Sequence, residues 1–148
     1  MKKTTILLVD DDPDIREIIS FNLSKEGYNV ELAKDGAQGV DLCIKYKPDI
    51  VLMDVMMPGM DGIQFLRKVK SIDSSLPVIM ITGHGDVPMA VEAMRLGAFD
   101  FLEKPFNPDT MTDLAKKATR ARRFLLDNRQ LRRELSSGSS IMEKLIGS

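Results

Sequence analysis

Several polar residues follow short apolar runs in this 148-residue sequence, where the strands of a sheet would end. These residues are Asp10, Asp11, Asp54, Thr82 and Lys104. Ligands of open α/β sheets bind at the carboxyl ends of the strands, so we expect these side chains to form one site. Each acid alone could be a helix N-cap or a solvated loop charge, but the whole set is hard to explain in that way.

The acids of this set point to a magnesium ion. Three converging carboxylates raise one another's pKa values unless a cation lies among them. Oxygen ligands in small number favour Mg²⁺, which keeps several waters and accepts phosphate oxygens as further ligands. The sequence has one histidine, His84, and one cysteine, Cys43, which argues against zinc.

The remaining polar groups suit a transferring phosphoryl group. Lys104 supplies a positive charge and Thr82 a hydroxyl donor, and phosphoryl transfer depends mainly on positioning and charge neutralisation. A carboxylate is a competent phosphoryl acceptor, and Asp54 is the best placed of the acids. Asp11 would then bind the metal directly and Asp10 directly or through water.

The elements that must position these residues alternate along the chain. Apolar, β-branched runs each precede a longer amphipathic pattern, which predicts an α/β fold with five parallel strands, doubly wound. The continuous runs suit strands that are covered on both faces, whereas the last run alternates as an edge strand does. The predicted strands are Ile6–Val9, Val30–Ala33, Ile50–Met53, Val78–Ile81 and Phe99–Leu102.

Helix boundaries are marked by capping residues. Asp12 followed by proline, Asp61 followed by glycine, and Asp86 each precede an amphipathic stretch and are predicted N-caps. Gly27 and Gly97 lie just past helical patterns and predict helix ends.

The last helical pattern runs beyond the end of a compact domain. From Pro108, apolar residues recur at three- and four-residue spacing, which predicts a final helix continuing as a dimeric coiled coil over residues 108–135. A final helix with a solvated, frayed tail is the other interpretation. The predicted seam consists of Leu114, Ala118, Ala121, Leu125, Asn128, Leu131 and Leu135.

Residues 136–140, Ser-Ser-Gly-Ser-Ser, are expected to break this helix, so that 136–148 form the flexible start of an output domain absent from this chain.

Residues 1–115 are acidic overall and 116–135 basic, but no recognition-helix motif accompanies the basic residues, and we do not expect direct DNA contact. No apolar run is long enough to span a membrane, and the amino terminus lacks a signal-peptide cleavage site, so a cytoplasmic location is expected.

The motifs Val9-Asp10-Asp11, Asp54-Val55-Met56-Met57-Pro58-Gly59, Thr82-Gly83 and Lys104-Pro105-Phe106 together resemble the response-regulator receiver family. The resemblance covers about residues 4–120, assigns a receiver domain to 1–120, and implies a flavodoxin/CheY-like fold. It implies that Asp54 is the phosphoacceptor, that Asp10, Asp11, Asp54 and the Met56 carbonyl bind Mg²⁺, and that Thr82 and Lys104 contact the phosphoryl oxygens. It also implies a cis Lys104–Pro105 bond and a sensor histidine kinase as donor.

Residues 82–106 and 128–135 resemble, more narrowly, the receivers and linkers of NtrC/DctD-type, sigma-54-dependent transcription activators. That resemblance implies a homodimer through helix four, strand five and helix five, with Thr82 and Phe101 as switch residues, controlling an AAA+ output domain. The switch aromatic of the family is often tyrosine, so a hydroxyl contact is lost at Phe101.

Other functions fit the sequence less well. An aspartyl-phosphate phosphatase would need a second acid two residues after Asp54, where Met56 stands. A flavin or nucleotide site would need a Gly- or Ser/Thr-rich first loop, and no phosphate-binding Gly-Lys-Ser/Thr loop occurs, so we expect a regulatory domain and not an enzyme. A degenerate receiver that serves as a constitutive dimerisation module is the remaining alternative.

Overall fold

A computed structural model describes residues 3–55, 57, 59–83 and 85–146, with side chains described through residue 128. Five strands alternate with five helices in this part of the chain. Every predicted strand is present, with boundaries within one residue of those expected. The elements are β1 (Thr5–Val9), α1 (Pro13–Lys25), β2 (Asn29–Ala33), α2 (Gly36–Tyr46), β3 (Ile50–Asp54), α3 (Gly62–Ile72), β4 (Val78–Thr82), α4 (Val87–Arg95), β5 (Asp100–Glu103) and α5 (Pro108–Ile146).

All four strand pairings are parallel, and the strand order is β2-β1-β3-β4-β5. The three inner strands, β1, β3 and β4, are buried along their whole length because helices cover both faces of the sheet. The outer strands β2 and β5 are only partly buried, which confirms the predicted edge position of β5. The doubly wound α/β fold expected from the sequence is therefore confirmed.

Each face of the sheet has its own core. One is centred on Phe65 and Met53 and lies under α2, α3 and α4. The other includes Leu8 and Leu23 and receives the buried face of α5, which contributes Met111 and Ala115. Burial of both faces holds the carboxyl ends of the inner strands in a fixed arrangement.

The predicted helix boundaries are confirmed. The Asp12 side chain accepts a hydrogen bond from the Asp14 amide, and Asp61 forms a reciprocal capping box with Gln64. Asp86 stands at the N-cap position of α4, but the predicted capping bond is wrong, because its side chain accepts instead from the amide of Gly83 at 3.2 Å.

The predicted helix break at residues 136–140 is wrong, because α5 continues through Ile146. One glycine costs a helix only about 1 kcal/mol, and no proline follows Pro108 to remove a main-chain donor. The coiled coil over 108–135 and the domain boundaries at 120 and 136 stay predictions, and the side chains of the seam beyond Asn128 lie outside the described part.

Candidate functional site

The carboxyl ends of four neighbouring strands carry the predicted site residues. Asp10 follows β1, Asp54 ends β3, Thr82 ends β4 and Lys104 follows β5. Because β1, β3, β4 and β5 are consecutive in the sheet, their ends meet at one edge. The main chain supports this edge, since the Val55 amide donates to the Ile81 carbonyl at 2.9 Å.

Asp10, Asp11 and Asp54 form an acidic cluster in which one carboxylate oxygen of each lies within 4.8 Å of the others. Asp10 is fully buried, and its Oδ1 accepts from the Asp12 amide at 2.9 Å. Its Oδ2 is buried without a hydrogen-bond partner. Burial raises the pKa of Asp10, and the charges of Asp54 and Asp11 raise it too, against the lowering effects of the Asp12 amide and Lys104.

Lys104, directly after β5, faces this acidic cluster. Its Nζ donates to Asp54 Oδ2 at 3.2 Å and lies 3.9 Å from Asp10 Oδ2. The Lys104 amide donates to the Thr82 carbonyl at 2.7 Å, which ties the residue to the end of β4. The Lys104–Pro105 bond is cis, as expected. Lys104 therefore faces Asp10 and Asp54 in this structure.

The two predicted switch residues lie on β4 and β5. The Thr82 hydroxyl is fully buried and donates to the Leu102 carbonyl at a long 3.4 Å, so it contacts the main chain of β5 in this conformation. Phe101 is partly buried and packs against the core beneath α3 and α4. Met56 and His84 lie outside the described residues, so the predicted metal contact of the Met56 carbonyl stays a prediction.

Gly62 keeps the loop after β3 close to the sheet. A Cβ atom there would lie 2.5 Å from Met80 Cε and 3.0 Å from Val55 Cα. The Gly62 amide also donates to the Val55 carbonyl at 3.1 Å. A Cβ atom there would have to displace the end of the Met80 side chain and shift the Val55 main chain, so glycine allows the segment after Asp54 to lie against the core.

Sequence reasoning missed Arg16, which supports the first acidic loop. Its Nη1 donates to the Asp10 carbonyl at 2.6 Å from the first turns of α1. This bond holds the main chain that presents both Asp10 and Asp11. The spacing of six residues from Asp10 could have suggested the contact, but many exposed helix arginines share such a spacing.

An apolar cavity of about 370 Å³ lies beside the acidic cluster and was also missed. It is bounded by α1 and by the segment after β5, and Lys104 belongs to both the cavity and the site. Ile18, on its α1 side, is 58% exposed. The other lining residues are Ile15, Ile19, Asn22, Pro105, Phe106 and Pro108.

The fold and the site together define a receiver domain, and the comparison with protein families agrees. The family described as "Response regulator receiver domain" matches residues 6–116, and this chain belongs to that family. It is therefore a receiver domain of two-component signalling, a family of regulatory phosphoacceptors.

Individual proteins of known identity are also similar to this chain. The chain is 45% identical over 145 residues to the C4-dicarboxylate transport transcriptional regulatory protein DctD of Pseudomonas aeruginosa, covering 98% of this chain and 31% of that protein. It is 41% identical over 117 residues to sporulation initiation phosphotransferase F of Bacillus subtilis, covering 79% of this chain and 94% of that protein. A crystal structure of NtrX from Brucella abortus in complex with ADP matches with a TM-score of 0.84 and 35% identity, over 88% of this chain and 30% of that one.

These relatives confirm the resemblance to NtrC/DctD-type activators. The chain spans less than a third of the length of the DctD proteins that it matches. Among the described residues, no helix is both long and apolar enough to cross a membrane.

Proposed function

We propose that this domain accepts a phosphoryl group on Asp54 from a phosphohistidine of a sensor kinase, in a Mg²⁺-dependent reaction. The observation that supports this most directly is the position of the Asp54 carboxylate. It lies between two other acids and the Lys104 ammonium, at the edge of the sheet where α/β proteins bind ligands.

The acidic cluster fits a magnesium ion. Asp10, Asp11 and Asp54 offer oxygen ligands only, and the buried Asp10 Oδ2 has no hydrogen-bond partner. A divalent cation held by these residues, with the Met56 carbonyl, would relieve the repulsion among them. When bound, the ion would neutralise charge on the phosphoryl oxygens.

In the transfer itself, an Asp54 oxygen attacks phosphorus while the phosphorus–nitrogen bond of the phosphohistidine breaks. The imidazole leaves with that electron pair and is left neutral once protonated, and Asp54 becomes an acyl phosphate. Lys104 would move its ammonium from the carboxylate to a phosphoryl oxygen, since it is already 3.2 Å from Asp54. Thr82 would exchange its long bond to the Leu102 carbonyl for a shorter one to the phosphoryl group.

The apolar cavity beside Lys104 is the proposed docking surface for the kinase helix that carries the phosphohistidine. A donor must approach Asp54 from outside the sheet edge, and this cavity opens next to it. Ile18 and Phe21, which are 58% and 68% exposed, extend its apolar surface along α1. A helix with an apolar face would bury them.

The effect of phosphorylation would be transmitted from Thr82 and Phe101 to a homodimer interface formed by α4, β5 and α5. Helix α5 would continue from this interface as the coiled coil. On α4, Val91 and Met94 are exposed apolar residues available to such an interface. In line with the resemblance to NtrC/DctD-type activators, the dimer would control an AAA+ output domain that activates transcription.

The test is incubation with Mg²⁺ and acetyl phosphate, read by intact mass. Wild-type protein should gain the mass of one phosphoryl group, Asp54→Asn should gain none, and Asp41→Asn, an exposed acid on α2, should behave as wild type. A folded wild type that binds Mg²⁺ but gains no mass would refute the proposal and leave a degenerate receiver acting as a dimerisation module.

The docking surface needs a different pair of variants. Ile18 and Ile44 are 58% and 57% exposed, on α1 and α2 respectively. Ile18→Ser should slow phosphotransfer from a sensor kinase while leaving the rate with phosphoramidate unchanged, and Ile44→Ser should leave both rates unchanged. Equal kinase rates for the two variants would contradict docking at this cavity.

A further inference from the structure

The C-terminal helix leaves the body of the domain at Arg122. Before this residue α5 is packed on the sheet, with Ala115 and Ala118 fully buried. The next five residues, 123–127, are all exposed. Whatever holds Arg122 therefore determines the direction in which the rest of the helix points.

Arg122 makes polar contacts with two separate loops. Its Nη1 donates to Asp73 Oδ2 at 3.0 Å and to Ser75 Oγ at 3.1 Å, both in the turn between α3 and β4. Its Nε lies 3.7 Å from Asp49 Oδ1, directly before β3. The arginine side chain is 13% exposed, but those of Asp49 and Asp73 are 37% and 32% exposed, so solvent partly screens these contacts.

The partners of Arg122 are themselves held in place. The buried Ser75 hydroxyl donates to Asp73 Oδ1 at 2.6 Å. Asp49 Oδ2 accepts from the Thr5 amide at 2.9 Å, and the Asp49 amide donates to the Thr5 carbonyl at 2.8 Å. The contacts of Arg122 therefore lead into the amino ends of β1, β3 and β4, the edge opposite the acidic cluster.

Apolar packing around Arg122, where α5 leaves the sheet, is incomplete. Arg122 lines three cavities, of about 230, 290 and 260 Å³, which lie where α5 leaves the amino-terminal edge of the sheet. Leu125, the next seam residue after Ala121, is 43% exposed. Because side chains do not fill this region, the polar contacts of Arg122 supply much of what fixes the helix there.

We propose that Arg122 is a positioning residue that clasps α5 to the amino-terminal edge of the sheet, so that the helix beyond it, here called the arm, is held in one direction. The clasp takes no part in phosphoryl transfer. Only the role of the clasp in signalling rests on the proposed function. In that role, the clasp makes the direction of the output helix depend on the core of the domain.

The direct test measures the direction of α5. Spin labels at Lys68→Cys on α3 and Asp127→Cys on α5 report the distance from the body to the arm, with labelled chains diluted in unlabelled protein to remove distances between chains. The native Cys43 is 3% exposed and should stay unlabelled. Arg122→Gln should broaden the distance distribution, whereas Arg123→Gln, an exposed arginine one residue later, should not.

Amide hydrogen exchange gives a second measurement. Loss of charge-assisted bonds should speed exchange of the amides at 119–126 by about tenfold in Arg122→Gln. Arg122→Lys, which keeps the charge but cannot reach both loops with a planar group, should give an intermediate rate. Ser75→Ala supplies the same test if Arg122→Gln does not fold. An unchanged distribution and unchanged exchange in these variants would overturn the clasp.

Phosphorylation of the same variants separates this inference from the proposed function. Arg122→Gln should still gain a phosphoryl group from acetyl phosphate, because Asp54 lies at the opposite edge of the sheet. If wild type gains none but Arg122→Gln broadens the distances, the clasp stands and the phosphoacceptor proposal falls. If phosphorylation is normal but the distances in Arg122→Gln do not change, the phosphoacceptor proposal stands and the clasp falls.

Discussion

Replacing Asp10 with asparagine should make the protein more stable in the absence of Mg²⁺, although it removes a buried ionic contact. Asp10 is fully buried in the acidic cluster, and its Oδ2 has no hydrogen-bond partner. The amide of asparagine has the same shape, keeps the acceptor for the Asp12 amide, and puts an uncharged group in place of the unpartnered oxygen.

The size of the effect follows from opposing charges. One carboxylate oxygen of Asp10 and one of Asp54 lie within 4.8 Å of each other, and with an effective dielectric constant of about 20 their repulsion at that limit is about 3.5 kcal/mol. Attraction between Asp10 and Lys104 at 3.9 Å is about 4 kcal/mol on the same basis, so the two nearly cancel. The remaining effect is the desolvation of an unpaired buried oxygen, typically about 1–3 kcal/mol. We expect Asp10→Asn to raise the free energy of unfolding by about 1–2 kcal/mol.

The assay is urea unfolding in EDTA and again in excess Mg²⁺. Wild-type protein should gain about 2.7 kcal/mol from Mg²⁺ at a hundredfold excess over its dissociation constant, and Asp10→Asn much less. Asp41→Asn, which removes an exposed acid from α2, should change stability by no more than about 0.5 kcal/mol. An Asp10→Asn protein that is less stable than wild type in EDTA would refute the charge reasoning.

Three other predictions concern parts of the domain away from the acids. The pKa of Asp73 is lowered, because hydrogen bonds from Ser75 and Arg122 outweigh the raising effect of burial. Ionised Asp73 therefore contributes stability above the unfolded pKa of 3.8, and this stability is lost as pH falls through the lower folded pKa. The free energy of unfolding of Asp73→Asn, measured by urea unfolding at a series of pH values, should therefore fall less steeply at acid pH than that of the wild type. Gly62→Ala should cost about 1–3 kcal/mol in urea unfolding, because its Cβ would lie 2.5 Å from a core methionine, and an unchanged midpoint would contradict that close approach. Burial raises the pKa of the Cys43 thiol to about 12, so iodoacetamide at pH 8 should alkylate it only after unfolding, as mass spectrometry would show.

The sequence was sufficient for the order of elements and for the acidic cluster. Strands β1, β3 and β4 are continuous apolar runs because both faces of each are buried, so their positions can be read locally. Asp12 and Asp61 cap their helices through bonds to residues two or three positions away, which local sequence also specifies. The site residues follow from these positions, because parallel strands bring their carboxyl ends to one edge.

The local sequence was misleading about where the last helix ends. The serines and glycine at 136–140 have weak helix propensity, yet α5 continues through Ile146. Propensity differences are small for each residue and are outweighed in a long helix without proline. The same limit applies to the coiled coil, whose formation depends on a second chain and not on the pattern alone.

The sequence by itself determined which residues could do the chemistry and which edge of the sheet they occupy, since they follow predicted parallel strands, whose carboxyl ends lie at one edge. Only the tertiary structure decided which long side chains cross between elements. Arg122 bonds to residues 47 and 49 positions away, and its contact sets the direction of the output helix. Arginine side chains reach several ångströms from their helix, so their partners depend on how distant segments pack, and no local pattern specifies that.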